Sequence, residues 1–169
     1  MLRISSLAKV AAATALSAVV GLSANAADRV SDFSLVDHNG KFFQLSRQAN
    51  FDAIVMLAHE DSRDVRRAAS ELADLTEQFA DQNVGFYLID SSGSGDQAAM
   101  REIAEDADID LPILIDEGQL VAAELGITRA TDVVILDPEA KEVVFRGALN
   151  DRWAEGSRAR RASEHYAAD

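Results

Sequence analysis

The densest run of chemically capable side chains is His59-Glu60-Asp61-Ser62-Arg63-Asp64, with Arg66 and Arg67 close behind. Three kinds of chemistry suit those residue types. A hard cation or copper would use His59, Glu60, Asp61 and Asp64. One imidazole without sulfur is a poor ligand set, and His38 and His165 stand in a turn and in the tail, so no metal is expected. A serine hydrolase would need a base and an oxyanion hole for Ser62. His59 is near in sequence, but no nucleophile-elbow motif accompanies it. The third kind is polar binding. Arg66, Arg129 and Arg146 would offer guanidinium groups to a small anion if the fold gathers them around Ser62. Salt bridges to neighbours such as Asp64 and Asp132 are the more ordinary use of those arginines.

What is missing narrows the chemistry further. The 169 residues include no cysteine, which excludes disulfides, thiolate nucleophiles, Cys-ligated zinc and iron–sulfur clusters. Asp and Glu number 29 against 16 Lys and Arg, a net charge of −13 that repels phosphate backbones and argues against a nucleic-acid partner. Gly93-Ser94-Gly95-Asp96-Gln97-Ala98 formally matches a dinucleotide fingerprint. Asp96 would point negative charge at a pyrophosphate, so a loop followed by a helix cap is the better reading, and no cofactor is expected. Apolar types make up 48% of the chain and Gly and Pro only 11 residues, which fits one folded domain rather than a disordered or repetitive chain.

The elements that must position residues 59–64 are legible in the hydrophobic pattern. Residues 32–45 alternate apolar and polar around Asn39-Gly40, a strong hairpin turn. Residues 51–58 are an apolar run of the kind buried on both faces of a sheet. Val65, Ala68, Ala69, Leu72, Leu75 and Phe79 then fall at helical spacing, with Asp61 or Ser62 as N-cap and Asp64 in the positive first turn. A second buried strand spans residues 84–90, and Asp96 caps a second helix. A brief strand follows at 113–115, then a short helix over 120–125 that stops at Gly126. Residues 133–136 and 143–145 close the fold as an antiparallel pair. Helices alternating with buried strands imply an α/β fold, a central mixed sheet flanked by helices with an N-terminal β-hairpin. Trp153 and Tyr166 read as packing residues. Ala159, Ala162 and Tyr166 give the polar tail over 153–169 a narrow helical face, and the tail is expected as a solvated terminal helix, with a helix docked on the domain as the alternative.

The first 26 residues have a different character. Arg3 and Lys9 precede an uncharged run over 10–22, and Ala24-Asn25-Ala26 is a small-x-small cleavage site. That order reads as a secretory signal peptide, too short in its apolar part for an ordinary transmembrane helix. The expected product starts after Ala26, is secreted or periplasmic, and has no membrane attachment once cleaved. Its folded domain covers residues 27–152.

Four motifs stand in order along the chain: Asp32-Phe33-Ser34-Leu35-Val36-Asp37-His38-Asn39-Gly40-Lys41 in the hairpin, then Leu111-Pro112-Ile113-Leu114-Ile115-Asp116, Thr128-Arg129-Ala130-Thr131-Asp132-Val133 and Arg146-Gly147 to Asp151. In content, order and spacing they together resemble the redoxin branch of the thioredoxin fold, the alkyl hydroperoxide reductase/thiol-specific antioxidant family with its peroxiredoxin-like members. The resemblance implies a thioredoxin-like fold and a site where the first buried strand meets the next helix. Relatives carry a reactive Cys there, in a DCPxVRR-like pattern. Ser62 stands at the position of that Cys and Arg63 at that of the following Pro, while Val65, Arg66 and Arg67 agree. Thr131 stands where thioredoxin-fold redox proteins place a cis-proline, so a reshaped, trans loop is expected. A serine hydroxyl neither accepts an oxygen atom from peroxide nor exchanges disulfides. The resemblance therefore implies a non-catalytic binding or accessory module, holding an unidentified protein or small molecule through His59, Glu60, Asp61, Arg129 and Arg146. The family's usual oxidoreductase role is the alternative, and without sulfur it would need another cofactor or a Cys supplied by a partner.

Overall fold

The structure, a computed structural model, describes residues 28–90, 92–93, 95–154, 164 and 166–167. The expected leader at 1–26 and the tail positions Ala159 and Ala162 lie outside them.

The elements follow the hydrophobic pattern closely. The strands are β1 (Asp28–Arg29), β2 (Ser34–Asp37), β3 (Phe42–Gln44), β4 (Ala53–His59), β5 (Val84–Asp90), β6 (Ile113–Ile115), β7 (Asp132–Asp137) and β8 (Glu142–Ala148). The helices among the described residues are α1 (Arg63–Gln78), α2 (Gln97–Asp106) and α3 (Leu120–Glu124), with a 3-10 turn at Leu45–Gln48. The eight strands of the described residues form one mixed sheet in the order β1-β8-β7-β4-β5-β6-β2-β3. The parallel pairs β4–β5 and β5–β6 are joined by α1 and α2, and the remaining pairings are antiparallel.

Alternation along the central strands splits the core in two. Val55, Leu57, Leu88 and Ile113 face Ala68, Leu72 and Leu75 of α1 and Met100 and Ala104 of α2. Ile54, Met56, Ile89, Leu114 and Val134 face the other way, onto α3 through Val121 and onto Phe33, Phe43 and Leu45 around the hairpin. Parallel strands buried on both faces read as continuous apolar runs, and β4 and β5 do so.

Three differences from the sequence expectation have local causes. The hairpin is not the first element, because β1 precedes it and pairs with β8 at the opposite edge of the sheet. Two exposed polar residues carry no apolar pattern to announce such a strand. The strand expected from residue 51 starts at Ala53 and runs one residue further, to His59. The tail is not wholly solvated. Trp153 and Ala167 pack on the α1 side of the core, and Ala167 N donates to Leu149 O at 3.3 Å.

Turn chemistry matches residue type at two glycines. Gly40 takes φ +84° in the hairpin turn, where Asp37 Oδ1 accepts from the N–H groups of Asn39 and Lys41 at 2.9 and 2.8 Å. Gly126 ends α3 at φ +68°, and a Cβ there would lie 2.8 Å from Arg146 Nε.

Candidate functional site

Residues 59–64 lie at the C-terminal end of β4, at the strand-to-helix junction, as the hydrophobic pattern predicts. Ser62 has extended backbone (φ −139°, ψ 156°), and its Oγ accepts from Val65 N at 3.3 Å, so it is the N-cap of α1. Its carbonyl accepts from Arg66 N at 3.0 Å, and its own N–H donates to Glu60 O at 2.8 Å. The other candidate cap, Asp61, is occupied elsewhere: its Oδ1 accepts from Arg66 Nη2 at 2.6 Å and from Nε at 3.2 Å. Ser62→Ala should therefore cost about 1 kcal/mol of stability, seen as a lower urea midpoint with an unchanged slope.

His59 is fully buried, and so is Asp90, its in-register neighbour on β5. Leu57 and Leu88, two residues earlier on the same strands, face the α1–α2 core, so His59 and Asp90 point to that same face. Asp90 Oδ1 accepts from Ser92 N at 3.0 Å and from Ser92 Oγ at 2.6 Å. Burial pushes the His59 imidazole below its ordinary value. Asp90 and Asp61 pull it upward, and Arg66 and His38 add to the depression. Glu60, Arg63 and Arg67 are exposed.

The loop between α3 and β7 forms the other wall of the site. Asp132, nearly buried, organises it: Oδ2 accepts from Thr128 N, Thr128 Oγ1 and Arg129 N at 3.1, 3.1 and 2.9 Å, and Oδ1 accepts from Arg129 Nε at 3.0 Å. Thr131 is half-buried directly before β7, and no cis peptide bond occurs among the described residues.

A groove of about 330 Å3 lies between these walls, lined by Glu60, Gln119, Ala123, Thr128, Arg129 and Ala130. The fold thus brings Glu60 and Arg129 to one groove, and His59, Asp61 and Ser62 adjoin it in sequence. The three arginines do not converge on it. Arg66 is tied to Asp61 rather than Asp64 and borders a separate cavity with Ser70 and Asp110. Arg146 extends from β8, where its Nε donates to Leu125 O at 2.6 Å at the end of α3 and its Nη1 reaches Asp28 at 3.3 Å. Among the described residues no group of three or more His, Asp or Glu is arranged to hold a metal. The GxGxxA stretch ends in a helix cap, since Asp96 Oδ1 accepts from Ala98 N and Ala99 N at 3.0 and 3.1 Å.

Sequence reading missed Gln119 and Asp90. Gln119 has left-handed backbone (φ +54°), which no local pattern announces. Asp90 carried a signal: like His59, it is a polar residue that ends an apolar strand run, and two such ends on neighbouring parallel strands meet.

The comparisons with known proteins agree with this architecture. The AhpC/TSA family model matches residues 26–145. No curated protein matches the chain. Among solved structures, it is similar to peroxidoxin BcpB of Mycobacterium tuberculosis (22% identity, TM-score 0.61, covering 72% of this chain and 84% of that one). An uncharacterized conserved protein of Geobacillus kaustophilus gives 23% identity and TM-score 0.66, covering 79% of this chain and 73% of that one. The exposed lipoprotein thioredoxin of Streptococcus pneumoniae gives 19% and 0.59, covering 70% and 89%. Likeness at such identities shows the thioredoxin-like fold and nothing finer, whereas the family model spans most of the sequence. This cysteine-free chain, with a serine capping the helix at the strand-to-helix junction, belongs to the AhpC/TSA family.

Proposed function

We propose that this chain is an exported, non-catalytic member of its family, a binding or accessory module that holds a protein segment or small polar ligand in the groove between Glu60 and Arg129. The observation that carries the reading is the cysteine count of zero, together with the use of the Ser62 hydroxyl as a helix cap. Peroxide reduction and disulfide exchange both pass through sulfur, and the chain supplies none. Export rests on the leader-like order of residues 1–26 and fits a fold that the exposed pneumococcal thioredoxin shares. No helix among the described residues is long and apolar enough to cross a membrane.

Purified protein should show no thiol-dependent peroxide consumption and no insulin disulfide reduction above buffer. Turnover in either assay overturns the reading. A pull-down from periplasmic extract should recover a partner that an Arg129→Ala variant captures less well. Ser62→Cys tests the assignment of residue 62 separately. Its thiol would sit at the positive end of α1, so iodoacetamide should alkylate it at pH 7 several-fold faster than a cysteine in an unfolded peptide. An equal or slower rate would mean that residue 62 does not occupy the thiolate position.

A further inference from the structure

We propose that His59 is an acid-sensitive latch on the candidate groove: its neutral ring, buried beside Asp90, holds the turn at residues 60–62 closed, and protonation of that ring opens the turn and frees the start of α1. This device goes beyond the binding role and does not depend on it.

His59 ends β4 and is wholly buried on the α1–α2 face, with Asp90 in register beside it on β5. Among the described residues, the charged and titratable groups whose fields act on it are Asp90 from β5, Asp61 from the turn, Arg66 from α1 and His38 from the hairpin. Asp61 and Arg66 are bonded to each other at 2.6 Å, so their fields on the ring largely cancel. Of the influences on the ring, the cost of burying a charge is the largest and the attraction of Asp90 the next. A protonated His59 therefore gains by reaching water. The chain on its N-terminal side is locked in the sheet between β5 and β7, so the segment free to yield is the turn that follows it. That turn carries Glu60 into the groove and carries Ser62, whose Oγ and carbonyl hold the N–H groups of Val65 and Arg66.

The sign follows from linkage. The unfolded or opened chain binds a proton near the ordinary histidine value of about 6.5, and the closed form binds it only at lower pH. The closed form carries no penalty above that value. Between it and the lower value of the closed form the penalty grows as pH falls.

Amide hydrogen exchange in the full-length protein tests the latch. After correction for intrinsic exchange, protection at Val65 and Arg66 should fall about tenfold between pH 7.5 and pH 5. Protection at Met100 of α2, whose N–H donates to the O of the N-cap Asp96, should stay constant. His59→Gln should abolish the difference between the two helices. An equal fall in that variant, or no fall at Val65 and Arg66 in the native protein, overturns the proposal. Should His59→Gln not fold, the three histidine rings can be titrated by NMR in the native protein. The opening midpoint must then coincide with the titration of His59 and survive His38→Gln; a midpoint that follows His38 instead also overturns it.

Discussion

Asp132→Ala should lower stability by about 2–4 kcal/mol and dismantle the loop between α3 and β7. The carboxylate is 5% exposed and accepts four hydrogen bonds, two from backbone N–H groups, one from the Thr128 hydroxyl and one from the Arg129 guanidinium. Removing it leaves two backbone donors without an acceptor in a loop that lines the groove. It also frees Arg129 to leave the groove wall. Urea unfolding measures the first effect, and exchange of the Thr128 and Arg129 amides measures the second. Asp132→Asn keeps an acceptor of the same shape and should cost roughly half as much. If the alanine variant loses under about 1 kcal/mol, the loop is held by something other than this carboxylate.

The second large effect is expected far from the groove. Glu71, on α1, accepts from Asn150 Nδ2 at 2.8 Å, Arg152 Nη1 at 2.6 Å and Trp153 Nε1 at 2.8 Å. Asn150 is 1% exposed, and the Arg152 guanidinium stacks 4.6 Å from the centre of the Trp153 ring. One carboxylate thus pins the segment after β8 against the first helix. Glu71→Ala should cost about 2–3 kcal/mol, because it strands a buried amide and a half-buried guanidinium together. The chain has one tryptophan, so its fluorescence reports the event directly. A red-shifted native spectrum is expected, with faster proteolytic cleavage near residue 153. A variant with native fluorescence and native stability would show that apolar packing of Trp153 and Ala167 is sufficient to hold the segment.

Legibility in the sequence varied with the range of the interaction. The α1 stripe from Val65 to Leu75 and the runs in β4 and β5 are local patterns, and each became the element it predicted. The Ser62 and Asp96 caps were legible because a cap reaches only two or three residues. Asp61 and Ser62 were equal candidates until the fold turned Arg66 onto Asp61. Arg146 was the least legible of the candidate residues. Its charge suggested an anion site, yet it reaches back to Leu125 and across to Asp28, because β8 lies beside β1 and over the end of α3. The groove itself was half legible. Both loops were in view, but their approach depends on β4 and β7 being neighbours, and Gln119 enters through a left-handed residue with no sequence signature.

Composition and local periodicity were enough to establish the α/β class, the strand-to-helix junction at residue 62 and the impossibility of thiol chemistry, since each depends on residue identity or on spacing within a few positions. Strand order decided the rest: the register of His59 with Asp90, the clasp of Glu71 on residues 150–153, and the dispersal of three arginines to three separate places. These partners are between 3 and 118 positions apart, and for the distant ones proximity is created by the sheet rather than by the chain.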